Sequence, residues 1–277
     1  MRHSTILSAI GKALALALVL LWSLLPIALI VTSSFKLDRD IFSVPNSVAF
    51  TPTLANYVAL WQRWGDFFTG LLNSLIVTVG ATVLSVGGSM LAGYAYSRYR
   101  GRALSFSAFF LIFIRLIPPV IITLPLFPAV NGLKLNDTHL VLIVLYATFF
   151  VSLGTLVMRT FIDQIPKELD EAAMIDGATR MQIVTKVIFP LAAQGMIAVS
   201  VFVIVYAWNE FLFAFIFTTI HAKTAPLVIA EMIGAVEGVE WGVLFAASTV
   251  QLLPVLLFVV LAQKHLVAGL TAGATKG

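Results

Sequence analysis

Four residues in apolar stretches of the chain have side chains that could contact a solute. Arg115 and Glu210 are ionisable residues inside long uncharged segments, where a charge costs about 2.5–3.5 kcal/mol on membrane-insertion scales. Such charges are expected to face a cavity or a partner. Trp208 and Asn209 directly precede Glu210, and an indole ring beside an amide suits stacking on a sugar and hydrogen bonding to its hydroxyls. The pattern is typical of a solute path.

Each of these residues also has a structural explanation. Arg115 and Glu210 could lie near a membrane face or pair with each other, and for Arg115 the structural explanation is favoured. For Trp208 and Asn209 the structural explanation, an interfacial aromatic residue beside an amide that joins two helices, is favoured as well. Asn73, near the start of another apolar stretch, has the same two explanations. The candidates for a substrate path are Asn73, Trp208, Asn209 and Glu210.

The sequence has no catalytic constellation. A phosphate-binding loop follows the pattern G-x-x-x-x-G-K-[ST], whereas the only Gly-Lys pair, Gly11-Lys12, has Ile6 at the first glycine position and is followed by Ala13. The chain has no cysteine, and its 4 histidines are scattered without ligand spacing, so thiol chemistry and a metal site are not expected. We expect no catalytic residue, no metal and no cofactor in this chain.

A polar stretch, residues 159–190, interrupts the apolar segments. Pro166 suits a first helical position, and the acidic residues that follow it favour the first turn of a helix. The sequence therefore predicts a short helix over residues 167–176, ended by Gly177. Thr179 to Gln182 has the pattern of a capping box and predicts a second helix, which Pro190 ends or bends.

The first of these helices has the features of a docking surface. Ala172 and Ala173 are small, so another protein can approach the helix backbone, and Glu171 is a fixed charge beside them. A helix lying on lipid is basic with bulky apolar anchors, whereas residues 163–176 are acidic and lack an aromatic residue. Docking on a protein is therefore favoured. The predicted docking residues are Glu171, Ala172, Ala173, Asp176 and Gly177.

The same stretch resembles a known pattern, E-A-A, three residues, G, nine residues, I, one residue, L-P. Glu171-Ala172-Ala173, Gly177 and Pro190 fall at that spacing, with Val187 and Phe189 as apolar replacements for the Ile and the Leu. The chain is therefore similar to the permease subunit of a binding-protein-dependent ABC importer. In that family this loop is a cytoplasmic coupling helix that docks on the ATP-hydrolysing subunit.

Further segments resemble the carbohydrate branch of the family, in particular the second permease of the maltose and glycerol-phosphate type. They are Asn73-Ser74-Leu75, residues 95–99, residues 208–211 and residues 269–277. The resemblance implies import of a sugar, oligosaccharide or polyol derivative by alternating access, with a sister permease, two copies of an ATP-binding subunit and a soluble substrate-binding protein as partners. ATP and Mg would be bound by the ATPase partner, and this chain would be a non-catalytic subunit. Residues 220–240 would reach toward the binding protein, and the sister subunit would make most substrate contacts.

The elements that must position these residues are apolar helices. The chain is 60% hydrophobic and 11% charged, with a mean hydropathy of +1.01, which is typical of a polytopic membrane protein. Arg115 and four prolines interrupt the third apolar stretch, which is expected to be bent or broken. The six predicted spans are residues 13–35, 67–97, 103–130, 138–158, 191–219 and 241–263.

The distribution of positive charge sets a predicted orientation. With both termini inside, 11 of the 17 Lys and Arg residues lie in cytoplasmic segments, five lie in external loops, and Arg115 lies within a span. The positive-inside rule therefore favours cytoplasmic termini and a cytoplasmic docking helix. The net charge of +4 is explained by topology, so lipid is an expected partner and nucleic acid is not. We expect a multi-pass protein of the bacterial cytoplasmic (inner) membrane.

The sequence thus predicts an all-α membrane protein with six transmembrane helices and a type I ABC importer permease fold. Its predicted parts are an N-terminal helix with an external loop (1–68), a transmembrane core (69–264) that includes the loop 159–190, and a cytoplasmic tail (265–277). An ABC permease for a non-carbohydrate solute is an alternative. A secondary transporter is a more distant one, because it would need its own coupling site in repeated halves.

Overall fold

The structure is a computed structural model that describes residues 2–43, 50–236 and 238–274. All regular elements of these residues are helical. The α-helices are, in chain order, α1 (Arg2–Ser33), α2 (Asp38–Ile41), α3 (Ala55–Arg63), α4 (Asp66–Arg98), α5 (Arg102–Phe113), α6 (Pro119–Gly132), α7 (His139–Ile162), α8 (Glu168–Ile175), α9 (Arg180–Gln182), α10 (Phe189–Leu191), α11 (Ala193–Trp208), α12 (Leu212–Phe217), α13 (Ala225–Ile233) and α14 (Trp241–Ala274). A 3₁₀-helix (Ile114–Leu116) follows α5, and a π-helix (Ile183–Ile188) follows α9.

Four helices are long and apolar enough to cross a membrane. They are α1 over Ile10–Ser33, α4, α7, and α14 over Trp241–Gln263. Two bent pairs meet the same criteria together: Arg102–Leu116 with α6, at 99°, and Arg180–Leu191 with α11, at 78°. The described residues therefore contain four candidate spans, or up to six if each bent pair is one span.

The predicted break in the third span is confirmed, and prolines cause it. Ile117 has an extended backbone, with ψ of 121°, because a residue before proline is pushed out of the helical region. Pro118 is also extended, and Pro119 opens α6 at a position where its missing N–H costs nothing.

The fifth predicted span, residues 191–219, is not one helix. Helix α11 ends at Trp208, and α12 begins only at Leu212. Phe211 has left the helical region, with φ of −120°, and the Glu210 side chain accepts hydrogen bonds from N–H groups of the first turn of α12. Because a carboxylate can satisfy these N–H groups inside an apolar segment, the chain can start a new helix there.

The chain forms two compact units, residues 1–68 with 229–253 and residues 69–228 with 254–277. In the first unit, buried Asn56 on α3 donates to the carbonyl oxygens of Ser34 and Lys36 at 2.8 and 2.7 Å. The Gly242 N–H donates to Asp38 at 2.8 Å. Helix α3 thus anchors the chain segment that follows α1.

In the second unit, α4 packs closely on α7 through small residues, which let membrane helices approach each other. A Cβ atom on Gly80 would lie 2.7 Å from Ile143, and one on Gly93 would lie 2.8 Å from Met158 and 3.0 Å from the Arg159 backbone nitrogen. On α7, Gly154 likewise leaves no room beside Ser89. The two helices therefore form one tightly packed pair.

The tail predicted for residues 265–277 continues α14 as far as Ala274, and residues 275–277 lie outside the described residues.

We expect Gly93→Ala to lower the melting temperature of the chain in detergent by several degrees, because the added methyl group would push α4 away from α7. Overpacking of this kind costs about 1–3 kcal/mol. Gly87→Ala is the matched control on the same helix, since nothing lies within 4 Å of a Cβ atom there. Equal melting temperatures for both variants would contradict the close packing.

Candidate functional site

Helix α8 begins and ends as local chemistry predicts. Its first turn holds three acidic residues, Glu168, Asp170 and Glu171, at the positive end of the helix dipole. Gly177 has φ of +81°, a conformation that favours glycine. Its N–H donates to Met174 O, and the N–H of Ala178 donates to Ala173 O, which together make a Schellman motif. The helix starts one residue later than predicted and ends one residue earlier.

The predicted docking residues lie on an accessible surface of α8. Glu171, Ala172, Asp176 and Gly177 are exposed, whereas Ala173 is half-buried against the apolar core. Sequence reasoning missed Ile175, whose side chain is 87% exposed. Its position one turn after Glu171 places both on one side of the helix. One exposed apolar residue does not by itself mark an interface, but Ile175 extends the predicted docking surface at Glu171.

A buried ion pair joins α8 to the end of α4. The Arg98 Nε donates to Asp170 Oδ2 at 2.7 Å, and both side chains are 6% exposed. The Tyr94 hydroxyl donates to the same oxygen at 3.2 Å. The other guanidinium nitrogens of Arg98 donate to the carbonyl oxygens of Ile162 and Ile165, at 3.2 and 3.0 Å. One guanidinium therefore connects α4, α8 and the end of α7.

The second short helix has the predicted capping box. Thr179 Oγ1 accepts from the Gln182 N–H at 3.3 Å, and Gln182 Oε1 accepts from the Thr179 N–H at 2.8 Å. The helix then widens into the π-helix Ile183–Ile188, and the chain bends after Pro190. The predicted bend is confirmed, but the π-helix was not predicted, because no residue type specifies it.

Three of the substrate-path candidates, Trp208, Asn209 and Glu210, lie at the break between α11 and α12. Trp208 is buried, at 4% exposure, and Asn209 is exposed, with its amide nitrogen donating to Val205 O at 2.7 Å. The Glu210 carboxylate accepts from the N–H groups of Phe213 and Ala214, at 2.9 and 3.4 Å. Glu210 therefore caps α12 as well as facing the cavity described next.

A cavity of about 520 Å³ adjoins this break. Its lining combines aromatic rings with an amide and a carboxylate, and Pro119, at the break in the third span, also borders it. The lining residues that matter here are Tyr146, Phe149, Phe150, Tyr206, Asn209 and Glu210. Aromatic rings beside hydrogen-bonding groups are suited to sugars and polyols. Trp208 is outside this lining.

Arg115 is not paired with Glu210 in the structure. Its guanidinium donates to Phe149 O and Ser152 Oγ, both at 3.3 Å, and lies over the Phe149 ring at 4.9 Å from the ring centroid. These contacts attach the 3₁₀-helix to α7, in line with the structural explanation favoured for this residue.

Asn73, the remaining substrate-path candidate, lies away from the cavity, in the third turn of α4. Its amide nitrogen donates to the carbonyl oxygens of His221 and Lys223, at 2.9 and 2.8 Å, and its amide oxygen lies 2.7 Å from His139 Nε2. These bonds account for Asn73 as an anchor of the loop that follows α12. Its role in a substrate path stays a prediction.

Asp137 holds the same loop. Its carboxylate accepts from the backbone N–H groups of residues 219–222 at 2.9–3.2 Å. Partial burial raises the pKa of the Asp137 carboxyl, but the four N–H donors outweigh burial and hold the pKa well below its usual range. The stabilisation is therefore present above the unfolded-state pKa and is lost only as the pH falls through the lower folded-state pKa.

The comparisons with known proteins agree with this geometry. Residues 85–271 match the family described as "Binding-protein-dependent transport system inner membrane component". That region covers more than half of the chain and includes both α8 and the break at residues 209–211. The chain belongs to this family. As a family member it is a multi-pass inner-membrane component of a binding-protein-dependent transport system.

Relatives in the family align over nearly their whole length. The trehalose/maltose transport system permease protein MalG of Thermococcus litoralis is 36% identical over 258 residues, which cover 92% of each chain. The trehalose transport system permease protein SugB of Mycobacterium tuberculosis is 35% identical over 268 residues, 94% of this chain and 95% of that protein.

A solved structure has the same fold. It is the crystal structure of a bacterial ABC transporter involved in the import of the acidic polysaccharide alginate. One of its chains matches with a TM-score of 0.78 and 23% identity, covering 94% of this chain and 97% of that chain. The predicted all-α permease fold is thereby confirmed.

We expect Asp137→Asn to speed hydrogen exchange of the backbone amides of residues 219–222, because a neutral amide is a weaker acceptor. Asn tolerates the left-handed backbone at this position, where φ is +58°, so the turn itself is kept. In the unmutated chain, protection corrected for intrinsic exchange should be constant between about pH 5 and 8 and fall only in stronger acid. Unchanged exchange in the variant would contradict the anchoring role of Asp137.

Proposed function

We propose that this chain is a permease subunit of an ATP-driven importer and that α8 is its coupling helix. The observation that carries the proposal is the accessible surface of α8, where Glu171, Ala172 and Ile175 are exposed on a helix held firmly from behind by Arg98. A short helix of this kind can lie in a groove of a partner. The partner is an ATP-binding subunit in two copies, which binds ATP and Mg and performs the hydrolysis.

The proposed complex also contains a sister permease and a soluble substrate-binding protein. ATP binding closes the ATP-binding subunits and moves α8, and the two permeases open toward the binding protein and accept solute. Hydrolysis resets them. The excess of Lys and Arg in the α8 loop and in the other segments on its side of the membrane supports cytoplasmic termini. Residues 220–240 then face the binding protein; Glu237, within that range, lies outside the described residues.

We further propose that the solute is a sugar, an oligosaccharide or a polyol derivative. Two lines of support converge: the names of MalG and SugB refer to trehalose and maltose, and the cavity beside Glu210 combines aromatic rings with hydrogen-bonding groups. Hydroxyl groups of such a solute would donate to Glu210 and Asn209. A non-carbohydrate solute is the alternative. A transport assay that compares sugars with unrelated solutes distinguishes the two.

Affinity purification of the tagged chain in mild detergent tests the docking role. We expect the unmutated chain to carry both the sister permease and the ATPase, and Glu171→Lys to lose the ATPase while keeping the sister. Glu168→Lys is the matched control, because it makes the same charge change on the same helix outside the predicted docking residues. If the chain purifies alone and still transports solute without ATP in liposomes, the importer proposal is wrong.

Glu210→Gln tests the substrate path. Gln keeps an oxygen that can accept from the Phe213 N–H, so α12 stays capped, but the charged acceptor for a solute hydroxyl is lost. We expect transport to fall about tenfold, because a hydrogen bond to a charged group is worth about 1.5–3 kcal/mol. The ATPase should copurify at the unmutated level. Unchanged transport would remove Glu210 from the path and leave it as a helix cap.

A further inference from the structure

Helix α4 reaches from the coupling helix to the loop that follows α12. It has 33 residues without a break, so it is about 50 Å long at 1.5 Å per residue. Arg98 is its last residue, and Asn73 and Ser74 lie in its third turn. Each end is joined by buried polar side chains to a segment that, in the proposed function, contacts a different partner.

At the Arg98 end, α4 is joined to α8 by an ion pair that is shielded from water. The Arg98 side chain binds Asp170 of α8, the carbonyl group of Ile162 at the end of α7, and the carbonyl group of Ile165 in the segment that follows. Only one carboxylate oxygen of Asp170 is bonded; Oδ1 is buried with no hydrogen-bond partner among the described residues. The position of α8 therefore depends on the bonds that Arg98 and Tyr94 make to Oδ2.

Between the two ends, α4 and α7 pack closely against each other. A Cβ atom on Gly93 or on Gly154 would lie less than 3 Å from a side-chain atom of the facing helix. Packed helices of this kind transmit displacement and do not deform smoothly.

At the other end, the loop over residues 219–225 is bonded to the same helix pair. Asn73 holds the carbonyl groups of His221 and Lys223, and Ser74 Oγ accepts from the Ala225 N–H at 2.9 Å. His139, at the start of α7, binds Asn73 in turn. The loop is therefore bonded directly to α4, and to α7 through Asn73.

We propose that the α4–α7 pair connects α8 rigidly to loop 219–225, and that Arg98 and Asp170 are the positioning residues that attach α8 to it. The proposal rests on the proposed function, which places the ATPase on α8 and the binding protein on the loop. Binding of the solute-loaded binding protein to the loop would then change the position of α8 at the ATPase. In the other direction, ATP binding would change the position of the loop.

The test uses the whole complex reconstituted with its binding protein. The readouts are stimulation of ATP hydrolysis by the binding protein and solute transported per ATP hydrolysed. We expect Asp170→Asn to keep the ATPase in the complex but to lower stimulation about fivefold or more, the lower end of usual coupling between sites. Glu168→Gln, an exposed acid in the same turn, is the matched control and should retain full stimulation.

A second substitution, Ser74→Ala, removes the hydrogen bond between α4 and the Ala225 N–H at the other end of the connection. If both joints serve one connection, Ser74→Ala combined with Asp170→Asn should reduce stimulation about as much as the stronger single variant. Losses that multiply would show independent effects and would overturn the proposal. Full stimulation in Asp170→Asn would overturn it as well.

Two controls separate the possible failures. Should Asp170→Asn not fold, Tyr94→Phe removes only the hydroxyl that donates to Asp170, and a partial loss of stimulation is then expected; full stimulation in that variant would overturn the proposal. If the ATPase fails to copurify with the unmutated chain, the proposed function itself is wrong.

Discussion

The buried Arg98–Asp170 pair is the interaction on which the arrangement of this membrane chain depends. Removing two charges from water costs several kcal/mol per ion, and only good geometry with further hydrogen bonds offsets that cost. Here the carbonyl groups of Ile162 and Ile165 supply those bonds, at the negative end of the α7 dipole. Loss of one partner from such a pair costs about 3–5 kcal/mol, so α8 cannot easily leave its place.

This constraint supports the proposed role of α8, a helix of only eight residues, as a coupling helix. An isolated helix of that length is not stable in water. Helix α8 is fixed by its Schellman turn at Gly177, by Asp170 beneath it, and by Ala173 against the core. Its other face is left free, with Glu171 and Ile175 exposed, and in our proposal force applied there reaches the α4–α7 pair.

Features set by neighbouring residues could be predicted from the sequence. Local residue types determine three such features: the end of α8 at Gly177, the capping box at Thr179, and the proline-induced break in the third span. Contacts between distant residues could not be predicted from the sequence. Arg98 and Asp170 are 72 positions apart. Each is explained locally without the other, Arg98 by the positive-inside rule and Asp170 as an acidic residue in the first turn of a helix.

Hydropathy alone also fails to predict two features of the site, the exposure of Ile175 and the break in the fifth span. It treats Ile175 as a core residue, although its side chain is exposed, because composition does not report which face of a short helix is covered. It also reads residues 191–219 as one span, because the break at Asn209 depends on the capping of α12 by Glu210 and not on a proline or a charge cluster.

The most direct test of this account is a distance between spin labels at Glu168→Cys, which is exposed on α8 outside the predicted docking residues, and at Leu84→Cys on α4. The chain has no cysteine of its own, so both labels are specific in a complex whose other subunits lack cysteine. Measured by double electron–electron resonance without nucleotide, with ATP and after hydrolysis, the distance should stay the same while transport proceeds. A distance that changes between these states would show that α8 moves independently of α4, and would contradict the account.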